Sequence, residues 1–116
     1  MDVTIYHNPR CSKSRQTLAL LREQGVEPEV VEYLKTPPSA AQLRAVLKQL
    51  NLAPRELLRK KEAPYKALNL ADPALTDAAL IDAMIEHPVL IERPIVISGN
   101  GAAIGRPPEA VLAVLG

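Results

Sequence analysis

The chemistry in this sequence gathers around one residue, Cys11, in the stretch YHNPRCSKSRQTL (residues 6–18). It is the only cysteine in 116 residues. Arg10, Lys13, Arg15 and, further on, Arg22 surround it, and no acidic residue occurs between Val3 and Arg22. The stretch follows a strand-like segment and leads into a helix-like one, so Cys11 is expected at a helix N-terminus. Such ends carry unpaired N–H groups and roughly half a positive charge. A thiol near one, beside Lys or Arg, has its pKa lowered from about 8.5 to roughly 3.5–7.5, and the thiolate is the nucleophile. The same N–H groups bind oxyanions. One loop can therefore make a nucleophile and hold an anion against it. A lone cysteine is more commonly a buried structural residue, but the neighbours here are polar, small and cationic.

Spacing excludes two familiar cysteine chemistries. A tyrosine-phosphatase loop needs Cys, five residues, then Arg, whereas Thr17 stands at that place and Arg15 comes too early. A C-x-x-C redox pair is excluded by Ser14. Three further arginines share a pattern: Arg59 in LLRKK, Arg93 in IERPIV and Arg106 in IGRPPE. The last two precede a proline, at the entry to a strand and after a hairpin. Singly, each reads as a solvated surface residue. As a set, their planar guanidinium groups suit a tetrahedral oxyanion. His7 is readable as an ordinary strand-end histidine, and His87, before Pro88, as a surface turn residue. The RKKE run (59–62) reads as a solvated helix face apart from Arg59. No cluster of His, Cys, Asp and Glu suggests a metal.

The elements that must position these residues follow from periodicity. VTIY (3–6) alternates as a short strand and Asn8-Pro9 breaks it. A helix follows, with Leu18 and Leu21 on one face and Gly25 as its stop. EPEVVEYL (27–34) predicts a second strand, parallel to the first. Ser39 and Gln42 form a capping box ahead of an apolar stripe of Leu43, Val46, Leu47 and Leu50. PRELLRKKEAPY suggests a short helix stopped before Pro64. Thr76 caps another helix, whose buried face is Leu80, Ile81, Met84 and Ile85, with Leu75 and Leu80 spaced as a hydrophobic staple. RPIVIS (93–98) and GAAIG (101–105) make a hairpin. Pro108 begins a last helix that Gly116 ends. The order is βαβ, a helical block, then ββα, which is the thioredoxin-type order with helices inserted between its halves. One domain, 1–116, with a mixed four-stranded sheet is expected.

Composition narrows the function classes. Forty-seven per cent of the chain is hydrophobic, with three Tyr and no Phe or Trp. The core must be Leu, Ile, Val and Ala. A net charge of +1 calls for neither nucleic acid nor an acidic membrane. One cysteine cannot form an internal disulfide. The opening residues lack the pattern of a secretory signal, and no apolar run approaches a membrane span. A soluble protein of a reducing cytoplasm is expected.

Taken together, YHNPRCSKSRQTL, YLKTPPS, ELLRKKEAPY, LIERPIVI and GRPPEAVL resemble the glutaredoxin-coupled arsenate reductase family, in order and spacing, across nearly the whole chain. The resemblance implies a thioredoxin-like fold with Cys11 as catalytic nucleophile. It implies that Arg59, Arg93 and Arg106 bind the oxyanion, that His7 and Ser14 support the thiolate, and that Pro94 is the cis proline beside the cysteine. It implies arsenate reduction in arsenic detoxification, with glutathione as co-substrate, glutaredoxin as partner and no bound cofactor. Lys13 departs from the best-known members, which have an uncharged residue there and a longer C-terminal tail. Lys13 and the shorter length of this chain both resemble a shorter subgroup of the family. The fold is also similar to that of Spx-type regulators, which bind RNA polymerase and typically carry a C-x-x-C switch that Ser14 removes. A regulatory protein without turnover is therefore one alternative. A reductase of another oxyanion or of a glutathione mixed disulfide is another.

Overall fold

A computed structural model describes residues 2–115 of the chain. Four strands form one mixed sheet: β1 (Thr4–Tyr6), β2 (Glu29–Val31), β3 (Ile95–Ser98) and β4 (Gly101–Ile104), in the order β2-β1-β3-β4. β1 pairs with β2 in parallel, through helix α1 (Ser12–Glu23), and with β3 antiparallel. β3 and β4 are the expected hairpin, with Ser98 opposite Gly101. The fold is α/β and thioredoxin-like, with a helical block between the βαβ and ββα halves.

The sheet, α1 and the C-terminal segment make one compact unit, residues 1–36 and 93–116; residues 37–92 make a second. In the first, Val3 just ahead of β1, Ile5 and Val96 of the sheet, Leu21 of α1 and Val111 and Val114 of the last helix form a buried cluster. Val3 and Ile5, two residues apart where the chain enters β1, share one face by alternation. The last helix, Pro108–Val114, is 3₁₀. Its buried positions, Pro108, Val111 and Val114, recur every three residues, which is the 3₁₀ period. Ser98 Oγ donates to the carbonyl of Val114 and accepts from the N–H of Asn100, tying this helix to the hairpin. The expected stop at Gly116 lies outside the described residues.

β2 is shorter than expected. It ends at Val31, whose carbonyl accepts the N–H of His7. β1 then gives way to the Asn8-Pro9 turn, and proline has no N–H to continue a ladder. The chain turns instead, with the N–H groups of Lys35 and Thr36 both donating to Glu32 O.

The second unit contains α2 (Ala40–Leu50), α3 (Pro54–Leu57), α4 (Ala63–Ala67) and α5 (Asp77–Glu86). The capping box of α2 forms as expected: Gln42 N–H donates to Ser39 Oγ, and Ser39 N–H donates to Gln42 Oε1. Leu43, Val46 and Leu47 are buried, and Leu50 partly so. Thr76 Oγ1 caps α5, which buries Leu80, Ile81, Ala83 and Met84. His87 is half-buried at the C-cap of α5. PRELLRKKEAPY, expected as one helix before Pro64, is two. Leu58 bridges Ile91 in antiparallel fashion, Arg59 N–H donates to Leu90 O, and Glu92 N–H donates to Leu57 O. These bonds pull the chain out of helix after Leu57. Lys60 and Lys61 are therefore exposed in a turn rather than on a helix face. Pro64 opens α4 instead of ending its predecessor, at a position where its missing N–H costs nothing.

Candidate active site

Cys11 is the N-cap of α1, in extended backbone conformation, and half-exposed. The preceding loop is built to present it. Cys11 N–H donates to Asn8 O at 3.0 Å, Arg10 N–H donates to Asn8 Oδ1 at 3.0 Å, and Cys11 O accepts the N–H of Arg15. Asn8 is itself buried. An Asx side chain bonding the backbone two residues on is a turn-forming device. In the sequence, Asn8-Pro9 was legible only as the end of a strand.

His7 and Ser14 meet beneath this loop. Ser14 Oγ lies 2.6 Å from His7 Nδ1 and accepts the N–H of Asn8 at 3.0 Å. Both residues are buried, Ser14 completely. With Oγ already accepting from Asn8, its proton can go to Nδ1, which leaves the proton of a neutral imidazole on Nε2. Burial pushes the His7 pKa below its ordinary value; Glu32 opposes this, while Arg22 and Arg15 reinforce it. The Ser14 side chain thus faces His7. Its main-chain N–H, at the third position of α1, serves the sulfur.

The Cys11 thiol is held below its ordinary pKa. Partial burial is the largest influence and raises it. The Ser14 N–H, the Arg93 charge, the Lys13 N–H and the Arg106 charge together outweigh that burial. The sulfur closes no cap hydrogen bond of ordinary geometry, so these amides act as nearby dipoles. Arg106 Nη2 donates to Sγ at 3.5 Å, and its Nε donates to Arg93 O at 2.7 Å. Thus β3 and β4 bring two of the three singled-out arginines to the cysteine. The cationic residues nearest in sequence do otherwise. Arg15 donates to Pro9 O, Arg22 pairs with Glu27, and Arg10 is exposed.

Arg59 belongs to the second unit. Its Nε lies 3.3 Å from Glu62 Oε1 and its Nη1 3.2 Å from Glu92 Oε1.

Gly105 lies at a close approach to α1. A Cβ on it would stand 2.5 Å from Thr17 Oγ1 and 2.7 Å from Pro94 Cγ. Its N–H donates to Pro94 O at 2.9 Å. The Arg93-Pro94 bond is cis, as the resemblance implied, and so is Arg106-Pro107. Only a residue without a side chain lets the arm carrying Arg106 pass this close to α1. The signal available in the sequence was a glycine directly before one of the three arginines. Among the described residues, no group of three or more His, Cys, Asp and Glu could hold a metal.

A single acidified thiol, edged by amides and two guanidinium groups, can attack an electrophilic oxyanion. The comparisons agree with that chemistry. The model of the ArsC family matches residues 6–114. An Escherichia coli protein described as uncharacterized is 62% identical over 99% of this chain and 98% of its own. An arsenate reductase of Rhizobium meliloti is 51% identical, covering 99% of this chain and 82% of its own. A solved arsenate reductase of Vibrio cholerae superposes with a TM-score of 0.96 at 56% identity, covering 99% of this chain and 98% of that one. With the sequence match running the length of the chain and the backbone matching as closely, this chain belongs to the ArsC family.

Proposed function

We propose that this protein reduces arsenate to arsenite, using Cys11 as nucleophile and thiols outside the chain as reductant. The observation that carries the proposal is the Arg106 Nη2 to Cys11 Sγ contact of 3.5 Å at the start of α1. It sets a cation beside an acidified thiol, which supports an anion site shared by the two.

The Sγ thiolate displaces one oxygen of arsenate, which leaves as water, and arsenic stays in its +5 state. Arg93 and Arg106 hold the oxyanion and stabilise the charge that builds on its oxygens. Arg59 is proposed for the same anion on the strength of the resemblance alone. His7 and Ser14 act as positioning residues: their mutual bond fixes the loop and the first turn of α1, and with them the amides that face the sulfur.

Reduction needs an electron pair that one cysteine cannot supply. A glutathione thiol replaces a second oxygen on arsenic, again releasing water. A glutaredoxin thiolate then attacks the glutathione sulfur. The arsenic–sulfur bonding pair returns to arsenic, which becomes As(III), and a glutathione–glutaredoxin disulfide forms. Water then frees arsenite from Cys11. The absence of a second cysteine in the sequence supports this external route. The same chemistry suits a reducing cytoplasm; no helix among the described residues is long and apolar enough to cross a membrane.

The test is NADPH consumption with arsenate, glutathione, glutaredoxin and glutathione reductase. Turnover that Cys11→Ser abolishes is expected, with little turnover when thioredoxin and its reductase replace the glutathione couple. Equal activity in Cys11→Ser, or full activity with thioredoxin alone, would sink the mechanism.

A further inference from the structure

Lys13 and Pro107 lie beside the two groups that meet at the sulfur: Lys13 is two residues after Cys11, and Pro107 directly follows Arg106. Both line an open groove of about 510 Å³. One wall is a face of α1, where Lys13, Gln16, Leu20 and Glu23 recur at helical spacing; the other is Pro107 to Glu109. Lys13, Glu23 and Glu109 are all exposed. No salt bridge among the described residues engages any of them. The groove therefore offers an unneutralised cation, Lys13, two residues from Cys11, and an unneutralised anion, Glu109, on the other wall, with a second anion, Glu23, at the far end of the α1 wall.

That charge set is wrong for a simple anion and suits a zwitterion. We propose that the groove is the subsite for the thiol co-substrate, glutathione, with Lys13 on one of its carboxylates and Glu109 on its ammonium group. The proposal rests on the reading of the chain as a reductase whose second thiol is external. A tripeptide spans at most about 11 Å. Glu23, ten residues past Lys13, is about 15 Å further along the helix, so it lies beyond a glutathione held at Lys13. Glu109 is the acidic partner within the groove's other wall.

Disulfide exchange tests this without arsenate. Cys11 thiolate attacks oxidised glutathione, a mixed disulfide forms on Sγ, the original disulfide breaks and one glutathione thiolate leaves. Cys11 is oxidised by the disulfide and the departing glutathione is reduced. The comparison reagent is dithiodipropionate, which has the same reactive bond and two carboxylates but no ammonium. Wild type should react faster with oxidised glutathione. Glu109→Gln should slow that reaction by roughly two- to fivefold, the size of an exposed ion pair, yet quicken the reaction with dithiodipropionate, because a repelling charge is gone. Lys13→Gln should slow both. Glu23→Gln makes the same change in net charge as Glu109→Gln and should slow neither. If Glu109→Gln quickens both reactions, or wild type shows no preference for oxidised glutathione, the groove is not the subsite. Arsenate turnover is measured separately, so the subsite and the arsenate reading fail independently.

Discussion

Arg106 reaches across 95 residues of sequence to place its Nη2 3.5 Å from the sulfur of Cys11. Its Nε is bonded to the carbonyl of Arg93, so the two arginines form one pre-set edge around the thiol. A guanidinium already held by the backbone loses little freedom when it binds an anion.

Thiol acidity should depend on the distant arginines. Arg93→Ala and Arg106→Ala each remove a charge that lowers the Cys11 pKa. Each should raise the midpoint of iodoacetamide alkylation against pH. Arg10→Ala should leave that midpoint where it is, although Arg10 is the immediate neighbour. A shift with Arg10→Ala and none with Arg106→Ala would place the effective charge in the loop instead.

Both arginine variants should also lose arsenate use while remaining folded. Loss of a charged hydrogen bond to the anion costs about 1.5–3 kcal/mol, or about ten- to a hundredfold in kcat/KM. Circular dichroism melts run beside the kinetics decide the matter. Variants that unfold at assay temperature would show the arginines to be structural.

Gly105→Ala should be costly for its size. The added methyl would meet Thr17 Oγ1 and Pro94 Cγ, and overpacking of this kind costs about 1–3 kcal/mol. The arm carrying Arg106 must shift to relieve it, so the alkylation midpoint of Cys11 should rise as stability falls. A variant with native stability and native thiol acidity would mean the contact relaxes freely.

Acid should destabilise the protein through His7. Its folded pKa lies below the ordinary 6.5, so below that value the unfolded chain binds the proton more readily than the folded one. The linkage sign is then fixed: this contribution to stability is intact above pH 6.5 and is lost as pH falls from there through the folded pKa. Melting temperatures between pH 8 and pH 5 should fall more steeply for wild type than for His7→Gln. Parallel curves would remove His7 from the acid limb.

The sequence by itself determined what local bonding and composition decide. Ser39 with Gln42, Thr76 before α5, and the hairpin of RPIVIS with GAAIG are completed by residues within a few positions of each other, and all three appear as read. The lone cysteine at the start of a helix was equally legible. Element lengths were less so. β2 stops at Val31 because its partner strand stops, and PRELLRKKEAPY divides because Leu58 finds Ile91; both causes lie far off in sequence. Which charges serve Cys11 was decided by tertiary structure alone. Arg10, Lys13 and Arg15 looked like its electrostatic environment, but side chains of a first helical turn radiate outward, and Arg15 turns back to Pro9. The cations at the sulfur flank the hairpin, Arg93 just before β3 and Arg106 just after β4. Their placement depends on the register of the hairpin and on a glycine at 105 that admits the close approach, neither of which spacing along a chain can express.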